Sequence, residues 1–241
     1  MQDIASRYRP IAVLGEGSMA TVFRCVQLGM EREVAVKVLR EELLDEEELL
    51  GRFEREMRIT ARIMHPNTVT VHDYGRTDWG QPYLALELLD GRNLDAVIER
   101  EAPLAPARVA HIGLQIASAL GAAHAEEVVH RDLKPSNIML LDRYDQRDWV
   151  KVVDFGLAGF SEAVVDDARL TAQGIRVGTP TYMPPEYVET SEVDQRGDLY
   201  ALGVVLYEMA TGEPPYPGTG YDVMNRHVKD PVPSPRALNP E

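Results

Sequence analysis

His130-Arg131-Asp132-Leu133-Lys134-Pro135-Ser136-Asn137, followed by Asp154-Phe155-Gly156, is the stretch whose reading decides the fold of this chain. In fixed order it supplies a candidate base (Asp132), a candidate phosphate-contacting cation (Lys134) and two candidate metal ligands, Asn137 and Asp154. An isolated Asp-Phe-Gly is a common turn, and an isolated His-Arg-Asp says little more. The ordered pair, with the lysine and asparagine at their spacing between them, carries the signal.

Composition bounds what surrounds this stretch. The 241 residues suit one large or two small domains, and 44% hydrophobic content is ordinary for a chain with a real core. A formal net charge of −14 argues against a nucleic-acid partner and leaves no polybasic patch for a membrane surface. The one cysteine, Cys25, has no internal disulfide partner, which fits a reducing compartment. Met1 to Arg9 is polar and does not read as a signal peptide. The most apolar run, Leu199 to Ala210, is too short to span a bilayer and contains Glu208. A cytoplasmic protein with no membrane segment in this chain is expected.

Two regions differ in pattern. Ile11–Leu14, Thr21–Val26, Glu33–Leu39, Val69–Tyr74 and Tyr83–Leu88 are short and rich in apolar or β-branched residues, and predict a five-stranded antiparallel sheet. Between the third and fourth, Leu49, Phe53, Met57, Thr60, Ala61 and Met64 recur at helical spacing. After Asp90-Gly91, Val109, Ile112, Ile116, Leu120 and Ala123 form one apolar helical stripe, and Leu199, Leu202, Val205, Leu206 and Met209 form another. The prediction is an α+β architecture: a sheet lobe over residues 1–89 and a helical lobe over 90–241, joined at Glu87 to Gly91.

The first region carries its own phosphate signal. In Leu14-Gly15-Glu16-Gly17-Ser18-Met19-Ala20-Thr21-Val22, missing side chains let backbone N–H groups approach phosphate oxygens. In Val34-Ala35-Val36-Lys37 the strand alternation sends Lys37 to the face opposite Val34 and Val36, so it can point into a cleft.

Together these segments resemble the bacterial serine/threonine protein kinases of eukaryotic type, over roughly Tyr8 to Lys229. The resemblance implies a two-lobed kinase fold that phosphorylates protein serine and threonine hydroxyls, with ATP and Mg²⁺ as cofactors. It makes Asp132 the base that accepts the substrate hydroxyl proton and Lys134 the contact to the transferring phosphoryl group. Asn137 and Asp154 become the metal ligands. Leu14, Gly15, Glu16, Gly17, Ser18, Met19, Ala20, Val22 and Ala35 would line the nucleotide, with Ala20 standing where the family has its third loop glycine. Lys37 would bind the α- and β-phosphates and pair with a helix glutamate, Glu56 first and Glu54 as runner-up. Leu86 would gate the adenine pocket, with Glu87 to Leu89 offering backbone groups to the purine edge.

The same resemblance extends to acceptor and control elements. Lys134 and Gly178-Thr179-Pro180-Thr181-Tyr182 point to a serine/threonine acceptor docked on that loop; Glu186 matches the family's Pro-Glu glutamate, preceded here by Pro184-Pro185. Asp198 matches an aspartate that receives hydrogen bonds from the catalytic-loop backbone, with helix capping as the plainer alternative. Arg131 would meet a phosphorylated residue of the activation segment, Thr171 first, Ser161 and Thr181 after it, which also allows self-association for autophosphorylation. The alternatives left open are a nucleotide-binding scaffold without catalysis and a small-molecule kinase. Asp230 to Glu241 resembles the loop that leads into two last helices. The expectation is therefore a C-terminally truncated domain of reduced activity, unless local repacking or a basic residue such as Arg226 satisfies Glu186.

Overall fold

The computed structural model describes residues 2–17, 20–44, 50–51, 54, 57–58, 60–143, 146–155, 180–190 and 193–240, the side chain of Glu189 excepted. They form two compact units, Met1–His65 with Val69–Asp90, and Pro66–Thr68 with Gly91–Glu241.

The first unit is built on a five-stranded antiparallel sheet of β1 (Tyr8–Glu16), β2 (Ala20–Gln27), β3 (Arg32–Leu39), β4 (Val71–Arg76) and β5 (Pro82–Glu87), in the order β1-β2-β3-β5-β4. Alternation on β3 explains its two faces. Val34, Val36 and Val38 turn into a cluster with Ile4, Tyr8, Cys25, Tyr83 and Ala85, and burying each such side chain is worth roughly 1.5 kcal/mol or more. Burial also pushes the Cys25 thiol up to about 12, so it is a core residue rather than a reactive one. Asp73 closes the edge of this cluster, accepting from Arg7 at 2.7 Å, Tyr8 at 2.9 Å and Tyr83 at 2.8 Å. In the helical stretch before β4, Met57, Thr60 and Ile63 are buried. Met64, expected on the apolar stripe, is 92% exposed, because the chain has already left the helix at Ala61 and turns.

The second unit holds a three-stranded sheet that the hydrophobic pattern did not announce. Its strands are β6 (Arg92–Asn93), β7 (Ile138–Arg143) and β8 (Gln146–Val152), paired antiparallel in that order. Around it lie α1 (Leu94–Glu101), α2 (Pro106–Ala125), α3 (Pro185–Thr190), α4 (Gln195–Thr211) and α5 (Tyr221–Lys229). Pro106 opens α2 at a position where its fixed φ suits the helix and its missing N–H costs nothing. Asp194 caps α4 by accepting from the Arg196 N–H at 2.8 Å, and Gly212 ends it in the left-handed region at φ 87°. The long helices α2 and α4 pack together at Gly113, where a Cβ would come within 2.6 Å of Leu206. Leu199 was expected on the apolar stripe of α4 but is 54% exposed; the buried face runs instead through Asp198, Ala201, Leu202, Val205 and Met209. The stripe is displaced because the carboxylate of Asp198, not the leucine beside it, is turned inward.

Candidate active site

In the second unit the quoted stretch forms a loop closed by a short 3₁₀ turn, Pro135–Asn137. Lys134 Nζ lies 2.7 Å from Asp132 Oδ2. Asn137 Nδ2 donates to the Asp132 carbonyl at 2.8 Å and to its Oδ2 at 3.2 Å. Lys134 and Asn137 thus both bond to Asp132, and the Asp132 carboxylate is oriented while remaining part-exposed.

Long-range contacts hold that loop in place. Arg131 has φ 66° and Asp154 has φ 61°, a region non-glycine residues adopt at a cost of about 1–2 kcal/mol each. Asp198, 1% exposed, accepts from the backbone N–H of His130 at 2.8 Å and of Arg131 at 2.9 Å, the latter bond bearing on one strained residue directly. His124 at the end of α2 meets the same carboxylate at 2.7 Å. Helix capping, the plainer role weighed for Asp198, falls to Asp194. His130 is fully buried, with Nε2 3.0 Å from the Val153 carbonyl and its ring 4.8 Å from that of Phe155. The Val153 N–H in turn donates to the Asn137 carbonyl at 3.0 Å. The two candidate metal ligands are therefore linked through one hydrogen-bonded frame. Their chemistry suits a hard cation. Asn137 spends its Nδ2 on Asp132, which leaves Oδ1 for a cation, and Asp154 would add a carboxylate, an oxygen set that Mg²⁺ accepts with few protein ligands.

In the first unit the strand register gathers the nucleotide candidates on one sheet face. Lys37 sits opposite Val22 and Leu84, Ala35 opposite Leu86, and Gly15 opposite Val22. Leu14 is the extra residue of a bulge between Val13 and Gly15. The Gly17 N–H donates to the Ala20 carbonyl at 2.9 Å, which closes the hairpin; Glu16 pairs with Thr21 beside it. A Cβ at Gly15 would meet nothing within 4 Å among the described residues. The open space fits a phosphate that approaches the backbone closely. At the other end, the Glu87 N–H is used by the Thr70 carbonyl at 2.9 Å, so this residue could offer a purine only its carbonyl; Leu89 follows in irregular chain.

Ser18, Met19, Glu56, Ser161, Thr171, Gly178 and Thr179 lie outside the described residues. Glu54, the runner-up partner for Lys37, is paired with Arg76 at 2.6 Å. Arg226, considered for Glu186, instead meets Asp230 at 3.3 Å and lies over the Tyr216 ring at 5.0 Å.

Sequence reasoning passed over several residues that build this region. Asn67 donates to Gln115 Oε1 at 3.0 Å and to the Val150 carbonyl at 2.9 Å, and the buried Lys151 donates to the Thr68 carbonyl at 2.9 Å. These bonds fasten Pro66–Thr68 to β8, the strand that runs into Val153 and Asp154. Tyr182 donates to Glu208 at 2.7 Å, tying the 180–182 turn to α4; burial raises the pKa of both groups. A glutamate inside the most apolar run was the signal available for this last pair.

An antiparallel five-stranded sheet preceding a helical unit, with Asp, Lys and Asn joined in one loop, defines a protein kinase domain. Residues 8–237 match the protein kinase domain family, and the chain belongs to that family. It is 41% identical over 241 residues to the serine/threonine-protein kinase pkn3 of Myxococcus xanthus, covering 100% of this chain and 44% of that protein. It is likewise 41% identical over 229 residues to the serine/threonine-protein kinase PknH of Mycobacterium bovis, covering 95% of this chain and 37% of that one. The chain thus spans less than half the length of these curated relatives. Among solved structures it resembles a double mutant of the Mycobacterium tuberculosis PknI kinase domain, with a TM-score of 0.74 and 28% identity, covering 100% of this chain and 84% of that one. The fold is the two-lobed kinase fold, and the relatives are bacterial kinases of the serine/threonine class. No helix among the described residues is long and apolar enough to cross a membrane.

Proposed function

We propose that this chain transfers the γ-phosphoryl group of ATP to serine and threonine hydroxyls of protein substrates. The observation that carries the reading is the Asp132–Lys134–Asn137 cluster, on a loop pinned by Asp198. Phosphoryl transfer through a loose transition state needs positioning and charge neutralisation more than covalent help. Asp132 orients the acceptor hydroxyl and takes its proton as the new P–O bond forms and the bond to ADP breaks. Lys134 stabilises charge on the transferring group, and Lys37 holds the α- and β-phosphates. Asn137 and Asp154 would hold Mg²⁺, which would offset the phosphate charge when bound. Gly15 and Gly17 let backbone N–H groups reach the phosphates, and Leu14, Val22, Ala35 and Leu86 enclose the purine.

Regulation follows from Arg131. A phosphate added between Ser161 and Thr181, first at Thr171, would give this arginine a bidentate partner next to Asp132. Autophosphorylation between copies would supply it, in a cytoplasmic setting. Incubation with labelled ATP, Mg²⁺ and a generic serine/threonine substrate, beside Asp132→Asn, tests the main reading. Turnover in the variant should fall by on the order of 10²-fold or more while ATP affinity stays within a few-fold. Equal turnover would favour the scaffold.

A further inference from the structure

The face of the first unit's sheet opposite Lys37 is unevenly covered. Over part of it, Ile4, Tyr8 and Tyr83 pack in the buried cluster. Toward the ends of β2 and β3 a cavity of about 250 Å³ remains, walled by Ile4, Pro10, Phe23, Val38 and Trp79, with Arg40 at its rim.

The walls are fixed rather than incidental. Phe23 and Val38 stand on paired strands, and Val38 and Ile4 are buried. Trp79, 42% exposed, donates through Nε1 to Gln81, whose own amide donates to the Leu39 carbonyl at 2.9 Å. The indole is therefore held as one side of the hole, its ring edge open to solvent. Such a surface exposes aromatic area without a covering side chain from this chain's described residues, and an apolar ligand would remove that area from water.

Arg40 decides the polarity of the occupant. Its Nη1 reaches the Gly17 carbonyl at 3.3 Å and its Nε lies 3.9 Å from Glu42 Oε2. Both contacts are long and one-pronged, so a carboxylate bound to the planar fork by two parallel bonds would displace them. At about 250 Å³ the space takes a small molecule, not a peptide segment.

We infer that this cavity is a binding site for a small amphipathic carboxylate, its apolar body between Phe23, Val38 and Trp79 and its carboxylate on Arg40. The site itself is independent of catalysis. One consequence rests on the kinase reading: the carboxylate competes with the Gly17 carbonyl for Arg40, so occupancy loosens the glycine-rich hairpin and weakens ATP binding.

The test uses decanoate, decanol and decyltrimethylammonium, which share a tail and differ in charge, each below its micelle-forming concentration. The chain has two tryptophans, so Trp149→Phe leaves Trp79 as the only tryptophan, excited selectively at the red edge of the absorption band; calorimetry on the unmodified chain repeats the titration without any substitution. Decanoate should bind saturably with a shift of Trp79 emission, at least tenfold more tightly than decanol, and the cation should not bind. Arg40→Gln should bring decanoate to the level of decanol, and Thr21→Phe, which fills the hole, should abolish both. Saturating decanoate should lower ATP affinity at least twofold in the unmodified chain and not in Arg40→Gln. Absence of saturable binding, equal binding of all three probes, binding unaltered by Thr21→Phe, or a response only to anionic lipid vesicles would overturn the site. Saturable binding with unchanged ATP affinity would overturn the coupling to the hairpin, whatever the fate of the kinase reading.

Discussion

Replacing Asp198 by alanine removes one acceptor from three donors: the N–H groups of His130 and Arg131 and Nε2 of His124. The carboxylate is 1% exposed and His130 is fully buried, so water does not take over these bonds. Each buried donor left unmet costs about 1–3 kcal/mol, and the two backbone groups together about 2–6 kcal/mol. Arg131, no longer held at φ 66°, can relax and recover about 1–2 kcal/mol of strain. A net loss near 3 kcal/mol is therefore expected, which in a domain of this size lowers Tm by roughly 6–12 °C. Asp198→Asn, which keeps one acceptor but presents an N–H₂ to the other donor, should lose no less than half of that. Calorimetric melting measures the loss, and amide exchange at His130 and Arg131 shows whether it originates in the loop. A displaced loop misplaces Asp132, and a shift of about 1 Å can cost on the order of 10²-fold in turnover. Melting within about 2 °C of the unmodified chain, together with unchanged exchange at both amides, would refute the assignment of Asp198 as the anchor.

Lys37→Met and Asp154→Asn should each remove most phosphoryl transfer, by about 10²-fold or more; nucleotide titration with and without Mg²⁺ should show the affinity loss growing with Mg²⁺ only for Asp154→Asn. Mass mapping after incubation with ATP should find phosphate between Ser161 and Thr181, chiefly at Thr171, and full activity of Thr171→Ala would end the proposed role of Arg131. His227 on α5 is buried against Tyr200 at 2.7 Å and the Tyr216 ring; burial lowers its pKa against the opposing pull of the Thr181 backbone, and the Arg226 charge adds to the lowering. With the folded-state pKa depressed, the unfolded chain binds the proton more readily, so this stability is present above about pH 6.5 and is lost as pH falls through the folded value. The Tm of His227→Gln should accordingly depend less on pH than that of the unmodified chain between about pH 7.5 and 5, and parallel curves would contradict it.

Local order in the chain was enough to announce much of this molecule. The alternation of Val34, Val36 and Val38 set which face of β3 enters the core, because a strand's side-chain period is two whatever packs around it. Likewise the spacing Asp132, Lys134, Asn137 brings three polar side chains together within a single loop, where only a few backbone torsions separate them. Helical stripes were legible as helices but not as faces: Met64 and Leu199 read as core and are exposed, since the end of one helix and the inward turn of Asp198 on the other are set by what they meet. Strand β6 escaped notice because a two-residue strand has no period to read, and its partner β7 lies more than forty residues away.

The resemblance named Asp198 as an acceptor for the catalytic-loop backbone, but the physical hold on the loop is made by the tertiary structure. Asp198 reaches His130 and Arg131 across 68 and 67 positions of sequence, and Asn67 reaches Val150 across 83. No propensity or spacing encodes such a pairing; it exists because α2 and α4 pack through Gly113 and Leu206 and so carry His124 and Asp198 to the same point. The sequence by itself determined which residues can do chemistry, since that depends on side-chain type and short separations. Their fixed position, at two backbone sites that cost energy to maintain, was decided by buried hydrogen bonds that only the folded chain brings within reach.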